Sequence, residues 1–252
     1  MSKQRVKQQL EALGVLALFI GLWWLASDQA WVSKVFLPTP EATLGSLIEG
    51  LHGDLLAFSA NTVLRMLLGW LLASLIGITI GALVGSSETA RAWIGPTLEF
   101  VRPLPASAVM PLAISLFGLS SGMVLSVVAF GSMWPVLLAT VHGLASVHER
   151  LREVSSALQL SRSAFVFKIG LPNAMPDILA GMRLSMTVAL IVAVVGEMIA
   201  SQSGLGQAIL LAARSFRASE LFAGIALLSV IGFASNALLA LVEKKLLKWQ
   251  TH

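Results

Sequence analysis

The residues of this chain that could do chemistry are few and scattered. Its four histidines, His52, His142, His148 and His252, are scattered. No His or Asp residues pair at the spacing of a metal site, and no H-E-x-x-H run occurs. Serines are plentiful, but none is accompanied by a His and an Asp in a nucleophilic arrangement. No G-x-x-x-x-G-K-[ST] loop is present to cradle a nucleotide phosphate. The chain is therefore expected to catalyse nothing and to hold no cofactor or metal of its own.

Three charged residues stand several positions inside long apolar runs, where a charge is costly and usually has a reason. Arg65 and Arg183 lie near the starts of their runs, close enough to the surface to snorkel. Glu197, in VVGEMIASQSGLG, has three readings. It lines a path, or pairs with Arg214 or Arg217, or accepts bonds from backbone amides of the loop that follows it. A proton relay needs several such acids, and Glu197 is the one acid well inside a run, Glu11 standing at the edge of the first. Prolines add a second signal. RPLPASAVMP holds Pro103, Pro105 and Pro111 within nine residues, and each removes a donor and bends or breaks a helix. Irregular backbone at membrane depth is tolerated only against protein or a water-filled cavity, which places this run beside a pathway.

The wettest stretch is EVSSALQLSRSAFVFKIGLP, Glu153 to Pro172, between two apolar runs. It reads as two short amphipathic helices. The first, about Glu149–Leu160, carries Val154, Ala157, Leu158 and Leu160 on one side and Arg152, Glu153 and Gln159 on the other. Ser161 is suited to N-cap the second, which carries Ala164, Phe165 and Ile169 and ends at Pro172. Such a pair at a membrane surface reads either as a docking surface or as a solvated loop.

These residues must be positioned by a chain of 252 residues, 56% hydrophobic and 12% charged. Soluble domains run nearer a quarter charged, and several runs are long enough to cross a hydrocarbon core. The apolar runs are continuous, which argues against a β-barrel. The expected fold class is all-α, a polytopic membrane protein with six transmembrane helices. The expected spans are about 10–27, 61–85, 104–117, 123–145, 178–200 and 221–241, in a single domain covering 1–252, with a cytoplasmic loop at 146–177. The glycines of the second span, Gly69, Gly77, Gly81 and Gly85, suit close helix contact. The first run is followed by no small-residue cleavage site and is read as a retained helix. Trp23, Trp24, Trp31 and Trp93 suit membrane interfaces. With no cysteine, disulfides and thiolate chemistry are excluded.

Lysine and arginine alternate between loops. Lys3, Arg5 and Lys7 start the chain; Arg91 and Arg102, then Arg150, Arg152, Arg162 and Lys168, then Lys244, Lys245 and Lys248 follow on the same side. This predicts cytoplasmic N- and C-termini. The loop Ser201–Glu220 disagrees, holding Arg214 and Arg217, and GLGQAILLAARSF within it reads as a short helix dipping into the protein. The net charge of +4 is explained by this asymmetry. No basic and aromatic residues interleave as a nucleic-acid site would require.

The segment Glu153–Pro172 resembles the cytoplasmic "EAA" loop of permease subunits of bacterial ABC importers, E-A-A-x3-G-x9-I-x-L-P. Glu153 matches the Glu, and Ile169-Gly170-Leu171-Pro172 matches the end at the same spacing. Val154 and Ser155 replace the alanines, and Gln159 stands where the family has glycine. The resemblance covers nearly the whole chain and favours the nitrate/sulfonate/taurine branch. FLPTPEAT at Phe36–Thr43, VRPLPASAVMPLAISLFGLS at Val101–Ser120, and LPNAMPDILAGMRLSMTVAL followed by GEMIASQSGLG are each similar to segments of that branch. Gly196 stands in place of an alanine and Met182 in place of a leucine.

This resemblance implies the type I ABC importer permease fold (MetI-like), in the bacterial inner membrane. The loop would insert into a groove on an ATP-binding subunit, one of a pair that binds ATP and Mg. The coupling residues implied are Glu153, Ser155, Ser156, Gln159, Leu160, Ser161, Arg162, Gly170 and Pro172. Glu153 would face the motor subunit, and Pro172 would turn the chain back into span five. A homodimer is implied, with spans three and five lining the route. The path candidates are Arg102, Pro103, Pro105, Met110, Pro111, Arg183, Met186 and Glu197. A periplasmic or lipid-anchored solute-binding protein would dock on the loops Gly118–Gly122 and Ser201–Glu220. It would deliver a small anion, such as an organosulfonate, taurine or nitrate, or else a vitamin precursor or other small organic solute. A self-contained secondary transporter would show several buried acids and often an inverted repeat; a membrane-embedded enzyme would show a catalytic cluster. The sequence has neither.

Overall fold

A computed structural model describes residues 3–29 and 31–247, with the side chains of 1–10, 12 and 13 outside the description. Lys248 of the basic tail therefore lies outside the described residues, as do the side chains of Lys3, Arg5 and Lys7. Every regular element described is helical: α1 Lys3–Asp28, α2 Pro40–His52, α3 Leu55–Gly85, α4 Glu88–Val101, α5 Ala106–Phe117, α6 Ser121–Ala145, α7 Glu149–Ala157, α8 Arg162–Phe165, a π-helical turn Val166–Gly170, α9 Leu171–Ala200, α10 Leu205–Arg214 and α11 Ala218–Leu246.

Among the described residues, four helical runs are long and apolar enough to cross a membrane: α3, α6, Arg162–Ala200 and α11. The third expected span is a broken one, with α4 and α5 meeting at 90°. Pro105 stands at the start of α5, and Pro96 and Pro111 lie inside the two helices. The 12 residues of α5 reach only about 18 Å, short of the hydrocarbon thickness. The first expected span falls within α1, whose described apolar part, Gly14–Asp28, is shorter than the four long runs.

The core is a three-helix bundle of α3, α6 and α9. Small residues let the backbones meet. A methyl group at Gly81 would stand 2.6 Å from the Thr140 Cβ, and one at Gly77 3.0 Å from the Met133 carbonyl oxygen. On the other side of α6, one at Gly143 would stand 2.6 Å from the Ala174 Cβ, and one at Gly181 2.8 Å from the Pro135 carbonyl oxygen. Met66, Met123, Val124, Val127, Val128, Ala189 and Ala193 fill the space between. By contrast, α11 buries only Ala223, Gly224 and Leu239.

Several boundaries differ from the sequence reading. α3 begins at Leu55, six residues before the expected start of span two. Two helices were not expected. α2 is opened by Thr39, whose side chain accepts from the Ala42 N–H, with Pro40 in the first turn. α4 is opened by Ser87, which accepts from the Ala90 N–H. The second short helix of the polar loop does not end at Pro172. It runs on through the π turn into α9, one helical run from Arg162 to Ala200. Proline lacks an N–H and clashes with the carbonyl four residues back. A π turn, with the Leu171 N–H reaching the Val166 carbonyl five residues back, widens the helix just before Pro172 and accommodates the ring.

Candidate functional site

The polar hairpin sits at one end of the bundle. His148 opens α7, its Nδ1 accepting from the Arg150 N–H at 3.2 Å. Glu153 and Ser156 are exposed, while Ser155 faces inward and is buried. α7 ends with the Leu160 N–H bonded to the Ser155 carbonyl at 3.0 Å and Gln159 at φ +50°. Gln159 thus takes the left-handed conformation that glycine adopts without cost, and the turn stays at that position. Leu160 is half-buried, and Ser161 caps α8 by accepting from the Ala164 N–H at 3.2 Å. Arg162 and Pro172 are exposed, and Gly170 is buried against Leu144. Val154, Leu158 and Phe167 are also exposed, at 51%, 66% and 70%. The hairpin therefore offers charges and apolar side chains together on a surface that no other described residue covers.

A groove of about 580 Å³ runs along α5, α6 and α9, a volume suited to a small solute. Arg102, Ser107, Met110, Trp134, Leu184 and Val192 are among its lining residues. Arg102 is its charged group, and most of the wall is aliphatic. The Trp134 indole N–H is buried in this wall without an acceptor among the described residues. Pro103 and Pro105 are exposed beside Arg102, and Pro111 is exposed on α5. Three expected path residues, Arg183, Met186 and Glu197, do not line this groove. Arg183 pairs with Glu243 of α11, and Met186 lines an apolar cleft between α3, α9 and α11.

At the far end of the bundle, Glu197 is fully buried. Its carboxylate accepts from Arg65 Nη1 at 2.8 Å, from the Thr62 hydroxyl at 2.9 Å and from the Gly206 N–H at 3.0 Å. Of the three readings for this residue, the backbone-amide one describes the contact with Gly206. The ion pair is with Arg65, not with Arg214 or Arg217; Arg217 pairs with Glu220. The Thr62 hydroxyl oxygen also accepts from the Leu205 N–H at 2.9 Å. Arg65 donates to the Ser203 carbonyl at 2.8 Å. Gln202 donates to the Leu119 carbonyl and accepts from Ser121. The loop 201–206 is thereby tied to both α3 and the α5–α6 turn, and it leads into α10, the expected short helix.

Residues 73–248 match the model of the "Binding-protein-dependent transport system inner membrane component" family. The chain belongs to that family. This permease is 34% identical over 244 residues to SsuC of Bacillus subtilis (strain 168), named for aliphatic sulfonates transport, covering 96% of this chain and 88% of that one. It is 29% identical to the taurine transport system permease protein TauC of Escherichia coli (strain K12), covering 96% and 90%. It is 28% identical to the nitrate import permease protein NrtB of Synechocystis, covering 71% of this chain and 65% of that one. Among solved structures, one described as an amino acid ABC transporter with histidines matches with a TM-score of 0.61 at 19% identity, covering 79% of the permease and 96% of that chain. That likeness supports the helical permease fold. The protein is the membrane subunit of an ABC importer and is not itself an enzyme; ATP hydrolysis belongs to a separate subunit.

Proposed function

We propose that the hairpin from Glu149 to Gly170 docks into a groove on the ATP-binding subunit, that two copies of the permease form the pathway, and that the cargo is a small organic anion of the sulfonate or taurine kind. The observation that carries the docking reading is the hairpin surface itself. Glu153 and Arg162 stand exposed beside uncovered Val154, Leu158 and Phe167, at the end of the bundle rather than on its lipid-facing sides. Exposed apolar side chains rimmed by charge mark a protein contact. ATP and Mg would reside in the partner, and closure of the paired motor subunits would move the two hairpins.

In the bacterial inner membrane the hairpin end would face the cytoplasm, with both chain termini on that side. The far end, with the loop 201–206 and the α5–α6 turn, would face the solute-binding protein. The cargo reading draws on the groove. One guanidinium, Arg102, and largely aliphatic walls suit an anion with an apolar body, and the relatives named for sulfonates and taurine agree. The test is copurification of the tagged permease with its ATP-binding subunit in mild detergent. Glu153→Arg is expected to abolish copurification and uptake while the permease still folds. If the ATPase stays bound to this variant and uptake is intact, the docking reading is wrong.

A further inference from the structure

Both roots of the hairpin are fastened to the same place, the carbonyl end of α6. A helix C-terminus leaves its last carbonyls without partners and carries partial negative charge. Arg152, on α7, meets both needs. Its Nη2 donates to the Leu144 carbonyl and the Ala145 carbonyl, each at 3.2 Å, and its Nε to the Val147 carbonyl at 3.4 Å. The guanidinium carbon also lies over the Phe165 ring of α8, 6.0 Å from its centre. At the returning root, the Asn173 side chain donates to the Gly143 carbonyl at 3.2 Å. One guanidinium therefore joins α6, α7 and α8. Neither a lysine, with its point charge, nor a neutral donor can reproduce this fork of donors together with the contact on the ring face.

We propose that Arg152 is the positioning residue through which movement of the hairpin is delivered to α6. α6 is the helix that lies between α3 and α9 and lines the groove. The proposal rests on the reading of the hairpin as the motor-docking surface. Without Arg152, α7 and α8 would still present Glu153 and the exposed apolar side chains to a motor. They would, however, pivot on the turn at 146–148 instead of moving α6.

The chain contains no cysteine, so Ser107→Cys in the groove gives this subunit a single thiol. The complete transporter carrying Ser107→Cys, with its ATP-binding subunits and binding protein, is reconstituted, and labelling of the permease by an impermeant maleimide is timed with and without ATP–Mg. In the Arg152→Lys variant the ATPase is expected to copurify and to hydrolyse ATP near the parent rate. The ATP-dependent change in labelling rate is expected to fall about tenfold, the fold-change for losing a charge-assisted hydrogen bond. Phe165→Leu, which removes only the ring face, is expected to give a smaller loss. If hydrolysis and the labelling response fall together, or neither falls, Arg152 is not the tie. If Arg152→Lys releases the ATPase, it belongs to the docking surface and the proposal is overturned. A parent that copurifies with its ATPase but shows no ATP-dependent labelling change overturns the proposal. A parent with no bound ATPase overturns instead the docking reading beneath it.

Discussion

Arg65 and Glu197 stand 132 positions apart in sequence and meet at 2.8 Å, joining α3 to the far end of α9. The carboxylate is fully buried, and the guanidinium side chain is 14% exposed. A charge this deep needs each of its partners, and Glu197 has three: Arg65, the Thr62 hydroxyl and the Gly206 N–H. The pair is thus the centre of a polar lock that holds the loop 201–206 against α3.

Removing one partner of such a pair is costlier than removing both, because it leaves a buried charge uncompensated. Arg65→Ala is expected to destabilise the protein by about 3–5 kcal/mol. The double variant Arg65→Ala with Glu197→Gln should recover part of that loss, since the glutamine carbonyl oxygen still accepts from Thr62 and Gly206 without a net charge. Thermal unfolding in one detergent, run as a double-mutant cycle, measures this. A double variant no better than Arg65→Ala alone would show that the charge is not what matters.

The G-L-G step after α9 follows from the same lock. A methyl group at Gly204 would stand 2.3 Å from the Glu197 carboxyl, and one at Gly206 2.2 Å from the Val194 carbonyl oxygen. Gly204→Ala is expected to push Glu197 off its partners and to cost as much as losing Arg65. Gly206→Ala meets fixed backbone and also moves the amide that Glu197 uses, so it should be at least as severe. Unfolding temperatures of the two variants beside Arg65→Ala decide the order.

Much of this architecture was legible in the chain because helices that cross lipid must be continuous and apolar. The hairpin, the Ser161 cap, the short helix after Ser201 and the close glycines of α3 were all readable from local pattern. The partner of Glu197 was not. Sequence proximity pointed to Arg214 and Arg217, whereas the three-helix core brings Arg65 across from α3. Pro172 misled for a different reason: proline predicts a break, and a π turn absorbed it within a continuous helix. The helices α2 and α4 carried a signal that went unused. Thr39 followed by Pro40 and Glu41, and Ser87 followed by Glu88, are helix starts of the kind that capping favours. Trp134 gave no signal, since its place in the groove wall depends on how α6 turns against α5 and α9.

Gln159 offers a test of the hairpin turn that is independent of any partner. Its φ of +50° costs a non-glycine residue about 1–2 kcal/mol, while glycine adds unfolded-chain entropy worth about 0.4–1 kcal/mol. Gln159→Gly should therefore leave stability unchanged or raise it by up to about 1.6 kcal/mol. Gln159→Val, branched at Cβ and least tolerant of positive φ, should lower it by about 1–3 kcal/mol. Proteolytic nicking of the hairpin in the purified permease is the direct measurement, with Val expected to be cut fastest and Gly slowest. Equal rates for the two would mean that the turn does not hold this conformation.

Two glycines in helices should respond to alanine in opposite directions. At Gly81, α3 meets α6 so closely that a methyl group would stand 2.6 Å from the Thr140 Cβ and 2.8 Å from the Leu137 carbonyl oxygen. The carbonyl belongs to a helix backbone, so the two helices must separate. Overpacking of this kind costs about 1–3 kcal/mol. At Gly45, in the middle of α2, a methyl group would meet nothing within 4 Å. Alanine there removes glycine's conformational entropy penalty and is expected to stabilise by about 0.5–1 kcal/mol. The apparent unfolding temperature in detergent should accordingly fall for Gly81→Ala and rise slightly for Gly45→Ala. A Gly81→Ala protein as stable as the parent would mean that α3 and α6 are not in backbone contact, and the three-helix core would have to be redrawn.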